Sequence, residues 1–70
     1  MTHVHKRTGT EYEVGFISDF DMTVITRWPK DLFEEGQHIE FINYYFGEYD
    51  EDATNYHIEK YLEKQEANNN

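Results

Sequence analysis

Between residues 11 and 28, apolar and polar positions alternate. Tyr12, Val14 and Phe16, with Phe20 beyond them, fall on one side, and Glu11, Glu13 and Asp19 on the other. That is the period of a strand with one buried face. Gly15 falls on the outer face, a position that suits a bulge or a close backbone approach. Ser18-Asp19-Phe20-Asp21 is turn-prone, because Ser and Asp side chains hydrogen-bond to their own backbone. Met22, Val24 and Trp28 then alternate with Thr23, Ile25 and Arg27, which predicts a second strand folded back on the first. Pro29 ends it, since proline has no ladder donor.

Beyond the hairpin, the period changes. Asp31 can cap a helical turn with Glu34 three residues on, and Leu32 and Phe33 can pack against the hairpin before Gly36 interrupts. In Gln37–Phe46, the residues Ile39, Phe41, Ile42, Tyr45 and Phe46 share one arc at 100° per residue, while Gln37, Glu40 and Asn43 lie opposite. This predicts a helix, closed by Gly47 in the left-handed position that commonly ends one. The β-branched and aromatic content supports a third strand as the alternative. Asp50-Glu51-Asp52 offers caps and first-turn acids. Ala53, Tyr56, Ile58, Tyr61 and Leu62 then recur at steps of three and four residues. This predicts a last helix over about Asp52 to Lys64, with Lys60 and Lys64 near its C-terminal pole. The architecture implied is α+β: a β-hairpin packed on two C-terminal helices, or alternatively a three-stranded antiparallel sheet plus one C-terminal helix. Residues 11–65 form a single small domain in this reading. The aperiodic residues 1–10 are expected to be flexible, and 66–70 a disordered tail.

Composition changes the picture in two respects. Among 70 residues there are fifteen Asp and Glu against six Lys and Arg, for a net charge of −9, and no cysteine. Residues 1–30 carry four cations and four carboxylates, whereas residues 31–70 carry two cations and eleven carboxylates, so the whole excess lies in the last forty residues. Such a surface repels nucleic-acid phosphates and anionic membranes. The charge and a mean hydropathy of −0.96 lean towards disorder. Five Phe, six Tyr and one Trp lean towards a folded core. Without cysteine there is neither a disulfide nor a thiolate metal site. No apolar run approaches the length of a membrane span or reads as a signal peptide, so the expected compartment is the cytoplasm (the host's, if the protein is viral).

Candidate chemistry is sparse. His3 and His5 form a His-x-His pair, but a metal site needs three or four ligands, so no metal and no cofactor are expected. His-Ile-Glu occurs at 38–40 and again at 57–59, and Asn-Tyr at 43–44 and 55–56. One short duplication is not a repeat architecture. Ser18 is the only serine and has no local base. A chain of this size has little room for a catalytic pocket of about 300 Å³, and no enzyme activity is expected.

The distinctive segment is Tyr44–Tyr56, with four tyrosines, one phenylalanine and four acids in thirteen residues. Tyr45, Phe46 and Tyr56 are expected in the core. Tyr44 and Tyr49, outside the apolar arc, are the better interface candidates. Helical carboxylates four residues apart are spaced ~6 Å along the axis, against one phosphate per ~3.4 Å on each strand of duplex DNA. In its short length, its lack of cysteine and its carboxylates Glu48, Asp50, Glu51, Asp52, Glu59, Glu63 and Glu66, the chain resembles the small acidic inhibitors encoded by bacteriophages. These are proteins of the anti-restriction and anti-CRISPR type, several of them similar to DNA in surface charge. The resemblance implies a protein that occupies a basic, nucleic-acid-binding site on a partner. The partner-binding surface would be Glu48, Tyr49, Asp50, Glu51, Asp52, Glu59 and Glu63. The alternative function is a small structural or regulatory module that dimerises by burying Trp28 and the surplus aromatics.

Either reading predicts that labelled duplex and single-stranded DNA run unshifted with micromolar protein at low salt. A retarded band would contradict the charge argument.

Overall fold

The computed structural model describes residues 1–28 and 39–68. Four antiparallel strands lie side by side in chain order: β1 (Thr2–Val4), β2 (Glu11–Ile17), β3 (Met22–Arg27) and β4 (Glu40–Phe46). One helix, α1 (Glu51–Asn68), covers one face of the sheet. The chain is therefore α+β, with one helix among the described residues where two were expected. The turn expected at Asp31–Gly36 lies outside the described residues.

The hairpin forms where alternation predicts it. A single 3₁₀ turn at Ser18–Phe20 joins β2 to β3. It is closed by Asp21 in the left-handed region (φ 49°), whose N–H donates to the Ser18 carbonyl, a conformation Asp tolerates better than most residues. The turn sets the register, with Val14 opposite Ile25 and Phe16 opposite Thr23. Cross-strand partners share a face, so Thr23 and Ile25 join Tyr12 and Val14 under the helix and are buried. Met22, Val24 and Trp28 turn to the other side. The inward face of β3 is thus the reverse of what its own alternation suggests, because that strand is apolar on both faces.

Residues 40–46 form a strand and not a helix, for an identifiable reason. Ile25 pairs with Asn43 but Thr26 pairs with Phe41, so Ile42 is the extra residue of a β-bulge. The bulge brings Ile42 and Asn43 to the helix side together. Ile42 enters the core, and the Asn43 amide donates to the His57 carbonyl of α1 (3.0 Å). Phe41, Tyr44 and Phe46 are left on the opposite face. One extra residue converts the spacing of two into a spacing of three, and the strand thereby imitates helical periodicity. Gly15 lies in regular pairing, with no bulge and no backbone near it. Gly47 is left-handed (φ 103°) as expected, but it follows a strand.

α1 begins where the acids predict. Asp50 Oδ1 accepts the Ala53 N–H (2.8 Å), the N-cap bond, and Glu51 and Asp52 occupy the first turn. The helix continues to Asn68, past the expected end and into the stretch read as a tail, so Lys60 and Lys64 lie in its interior. The Tyr45 hydroxyl ties the helix start to the sheet, accepting the Asp50 N–H (3.1 Å) and bonding the Thr54 hydroxyl (2.7 Å). The core comprises Tyr12, Ile25, Ile42, Tyr45 and Ile58, with Ala53, Tyr61 and Leu62 packed against it. The Tyr61 hydroxyl donates to Glu40, and this bond, reinforced by burial, pushes its pKa up to about 12.

The first ten residues are not featureless. Thr2–Val4 pair with Glu11–Glu13 as an edge strand, and the side chains of His3 and His5 are both buried. The two Asn-Tyr pairs, and Ile39-Glu40 against Ile58-Glu59, fall on extended chain in one copy and helix in the other, so no duplication underlies them.

Ile58 is fully buried at the centre of the single core. Ile58→Ala should cost ~2–5 kcal/mol, and at ~4–8 °C per kcal/mol for a domain of this size a thermal melt should fall by roughly 8 °C or more. Leu62→Ala, at a half-buried position, should cost less. Equal losses would contradict the packing.

Candidate interaction surfaces

The helix side carries the carboxylates singled out in the sequence, and the structure commits several of them internally. Asn55 and Glu59 are one turn apart on α1 and so present side chains together. They meet the N-terminal segment. His3 Nε2 donates to Asn55 Oδ1 (2.9 Å), and His3 Nδ1 accepts the Tyr49 hydroxyl (2.9 Å). His5 Nδ1 lies 3.1 Å from the same Asn55 oxygen, and His5 Nε2 lies 2.6 Å from Glu59 Oε1. Arg7 completes the cluster with two bonds to Glu59 (2.6 and 3.2 Å). The bonds from Arg7 and then from His5 hold the Glu59 carboxyl below the usual carboxylate range. Among the described residues, no buried side-chain nitrogen or oxygen lacks a partner.

The expected partner-binding residues therefore divide. Glu59 is occupied by His5 and Arg7. Tyr49 is half-buried on His3, their rings edge to face at 6.0 Å, and burial raises its pKa. Asp50 is the helix cap. Glu51 and Asp52 lie 3.7 and 3.9 Å from the Lys6 ammonium, and Glu63 lies 3.5 Å from that of Lys60. These exposed pairs are weak and leave the carboxylates accessible to solvent. Glu48 is exposed. The structure does gather Glu48, Asp50, Glu51 and Asp52 at one end of α1, but Glu59 and Tyr49 belong to the clamp that holds β1.

The other face of the sheet is the larger surprise. No helix covers it. β4 contributes Phe41 (58% exposed), Tyr44 (45%) and Phe46 (73%), and the end of β3 contributes Trp28 (51%). Ile39 and Ile17 are exposed beside them, and Met22 and Val24 are partly so. The pairing lays these out in rows, Ile17–Met22–Phe46 and Gly15–Val24–Tyr44. The rings of Phe41, Tyr44 and Phe46 form a chain, with centroids 6.4 and 5.9 Å apart. Gly15 leaves a shallow hollow of about 380 Å³, walled by Ile17, Val24, Thr26 and Trp28, with the Met1–Glu13 ion pair also lining it. Among the described strand residues, the carboxylates on this face are Glu11 and Glu13. The latter is paired with the N-terminal amine at 2.6 Å, which holds its carboxyl below the usual range.

Two aromatics expected in the core, Phe46 and Tyr56, are thus exposed, whereas Tyr45 is buried and Tyr44 lies on the open face. The sequence signal for this face was present in the twelve aromatics of a 70-residue chain, more than one small core can hold. Comparison with known protein families, with curated proteins and with solved structures finds no match to this chain.

The Glu59 clamp predicts a signed pH dependence. A carboxylate whose folded pKa is lowered stabilises the fold above its ordinary range. That stability is lost as pH falls through the range towards the lowered value. Glu59→Gln should therefore melt below wild type at neutral pH, and the two melting curves should converge on acidification. A gap that stays constant from neutral to acid pH would show that the clamp is not ionic.

Proposed function

We propose that this protein is a small, non-enzymatic interaction module that works through the open face of its sheet. The observation that carries this reading is the row of Phe41, Tyr44 and Phe46 beside Trp28, exposed on a face that no element of the described chain covers. An aromatic side chain buries ~150–250 Å². At the observed exposures these four present about 450 Å², within the ~300–600 Å² of the largest patch on a typical monomer, which is itself often functional. Tyr and Trp are well suited to docking, because they offer large area with few rotors to freeze.

The second reading, occupation of a basic nucleic-acid-binding site on a partner, is favoured by one observation: Glu48, Glu51 and Asp52 are exposed together at the start of α1. They lie on the helix side, away from the aromatic row. The two readings can therefore be separated by substitution.

The test is capture of partners from the natural source by immobilised protein. Phe41→Ser with Phe46→Ser should abolish capture, while the triple change Asp50→Asn, Glu51→Gln and Asp52→Asn should keep it, with circular dichroism confirming both folds. The opposite outcome would favour the acidic reading. If both variants captured as wild type does, the open-face reading would be wrong.

A further inference from the structure

Resting on the open-face reading, we infer that the occupant of that face is a second copy of this chain. The two sheets would pack face to face to form a four-layer helix–sheet–sheet–helix dimer.

Three observations point to self-association. The first is extent. Ile17 and Ile39 continue the aromatic row, and Met22 and Val24 fill the space between. Together they carry the apolar surface beyond the aromatics' share, towards the ~800 Å² per partner of a standard stable interface. The second is charge. An acidic chain of net −9 can meet itself only where the charge is absent. The acidic excess of the described residues is concentrated on α1 and at its start, on the opposite layer. The middle of the open face, from Gly15 through Val24 to Tyr44, is neutral. Packed sheets stand ~10 Å apart, with each helix a further layer outward, so the two acidic helices would lie well beyond the ~8 Å Debye length. A cationic partner, by contrast, would be drawn to the helix side. The third is shape. A two-fold interface must be complementary to itself. This face carries both a projection, Phe46, and a hollow above Gly15, so each copy can receive what the other presents.

The geometry also supplies a variant that tests the face without disturbing the fold. Gly15 has ordinary backbone angles, and an added Cβ meets nothing within 4 Å. Gly15→Glu should therefore fold normally while placing a carboxylate in the hollow of each copy.

The experiment is sedimentation equilibrium of the full chain over a concentration series, with Trp28 emission, from the sole tryptophan, recorded on the same samples. The expected result is a rise from 8.5 kDa to twice that mass, with a blue shift of Trp28 at the same midpoint and no weakening on addition of salt. Gly15→Glu should raise the dissociation constant at least a hundredfold and Phe46→Ser at least tenfold, both with native circular dichroism. A wild-type chain that stays monomeric to millimolar concentration overturns the dimer. The open-face reading then falls only if the Phe41/Phe46 variant also captures partners as wild type does. A dimer that Gly15→Glu and Phe46→Ser leave intact, or that salt dissociates, overturns the inference as well, since it would be formed by another surface.

Discussion

A sheet has two faces, and a single helix can cover only one. That constraint organises this molecule. α1, eighteen residues and ~27 Å long, lies on the side where Tyr12, Ile25, Ile42 and Tyr45 converge on Ile58. Ala53, Tyr61 and Leu62 of α1 pack against this core, while Phe16 at the end of β2 stays exposed. The strands nevertheless carry bulky residues on both faces, and whatever the helix does not reach is left at the surface. Among the described residues, the open aromatic face follows from a count of layers.

The N-terminal strand shows how a small core is extended by polar means. β1 is only three residues long and lies at the sheet edge. Its attachment to the helix is made by His3, His5 and Arg7, which together engage Tyr49, Asn55 and Glu59. Buried polar groups are tolerable only when fully satisfied, and the hydrogen bonds within this cluster are complete. Glu59, engaged by His5 and Arg7, is thereby committed to internal contacts. Acidity on this chain thus has two roles, internal pairing at Glu59 and Glu13 and exposed charge at Glu48, Glu51 and Asp52.

The proposed working surface and the acidic surface lie on opposite layers. The helix side carries the exposed carboxylates Glu48, Glu51 and Asp52. The sheet side offers area without charge. In the dimer we infer, the two properties support each other, since joining the neutral faces moves the charged helices apart.

Much of the local structure was legible in the sequence. The hairpin was there in the alternation of β2 and in the Ser-Asp-Phe-Asp turn, and the last helix in its three- and four-residue spacing and its Asp50 cap. In both segments a local physical signal, period or capping, is strong and uncontested. Three features were decided only by the tertiary structure. The bulge at Ile42 gave β4 helical spacing, because a one-residue slip is invisible without the neighbouring strand. The inward face of β3 depended on register, because both of its faces are apolar. His3 and His5 acquired their places from Asn55 and Glu59, some fifty residues away. The sequence by itself determined that the chain holds more aromatic surface than one core can bury. Which aromatics remain outside was decided by the side of the sheet that α1 covers, a choice made by long-range packing.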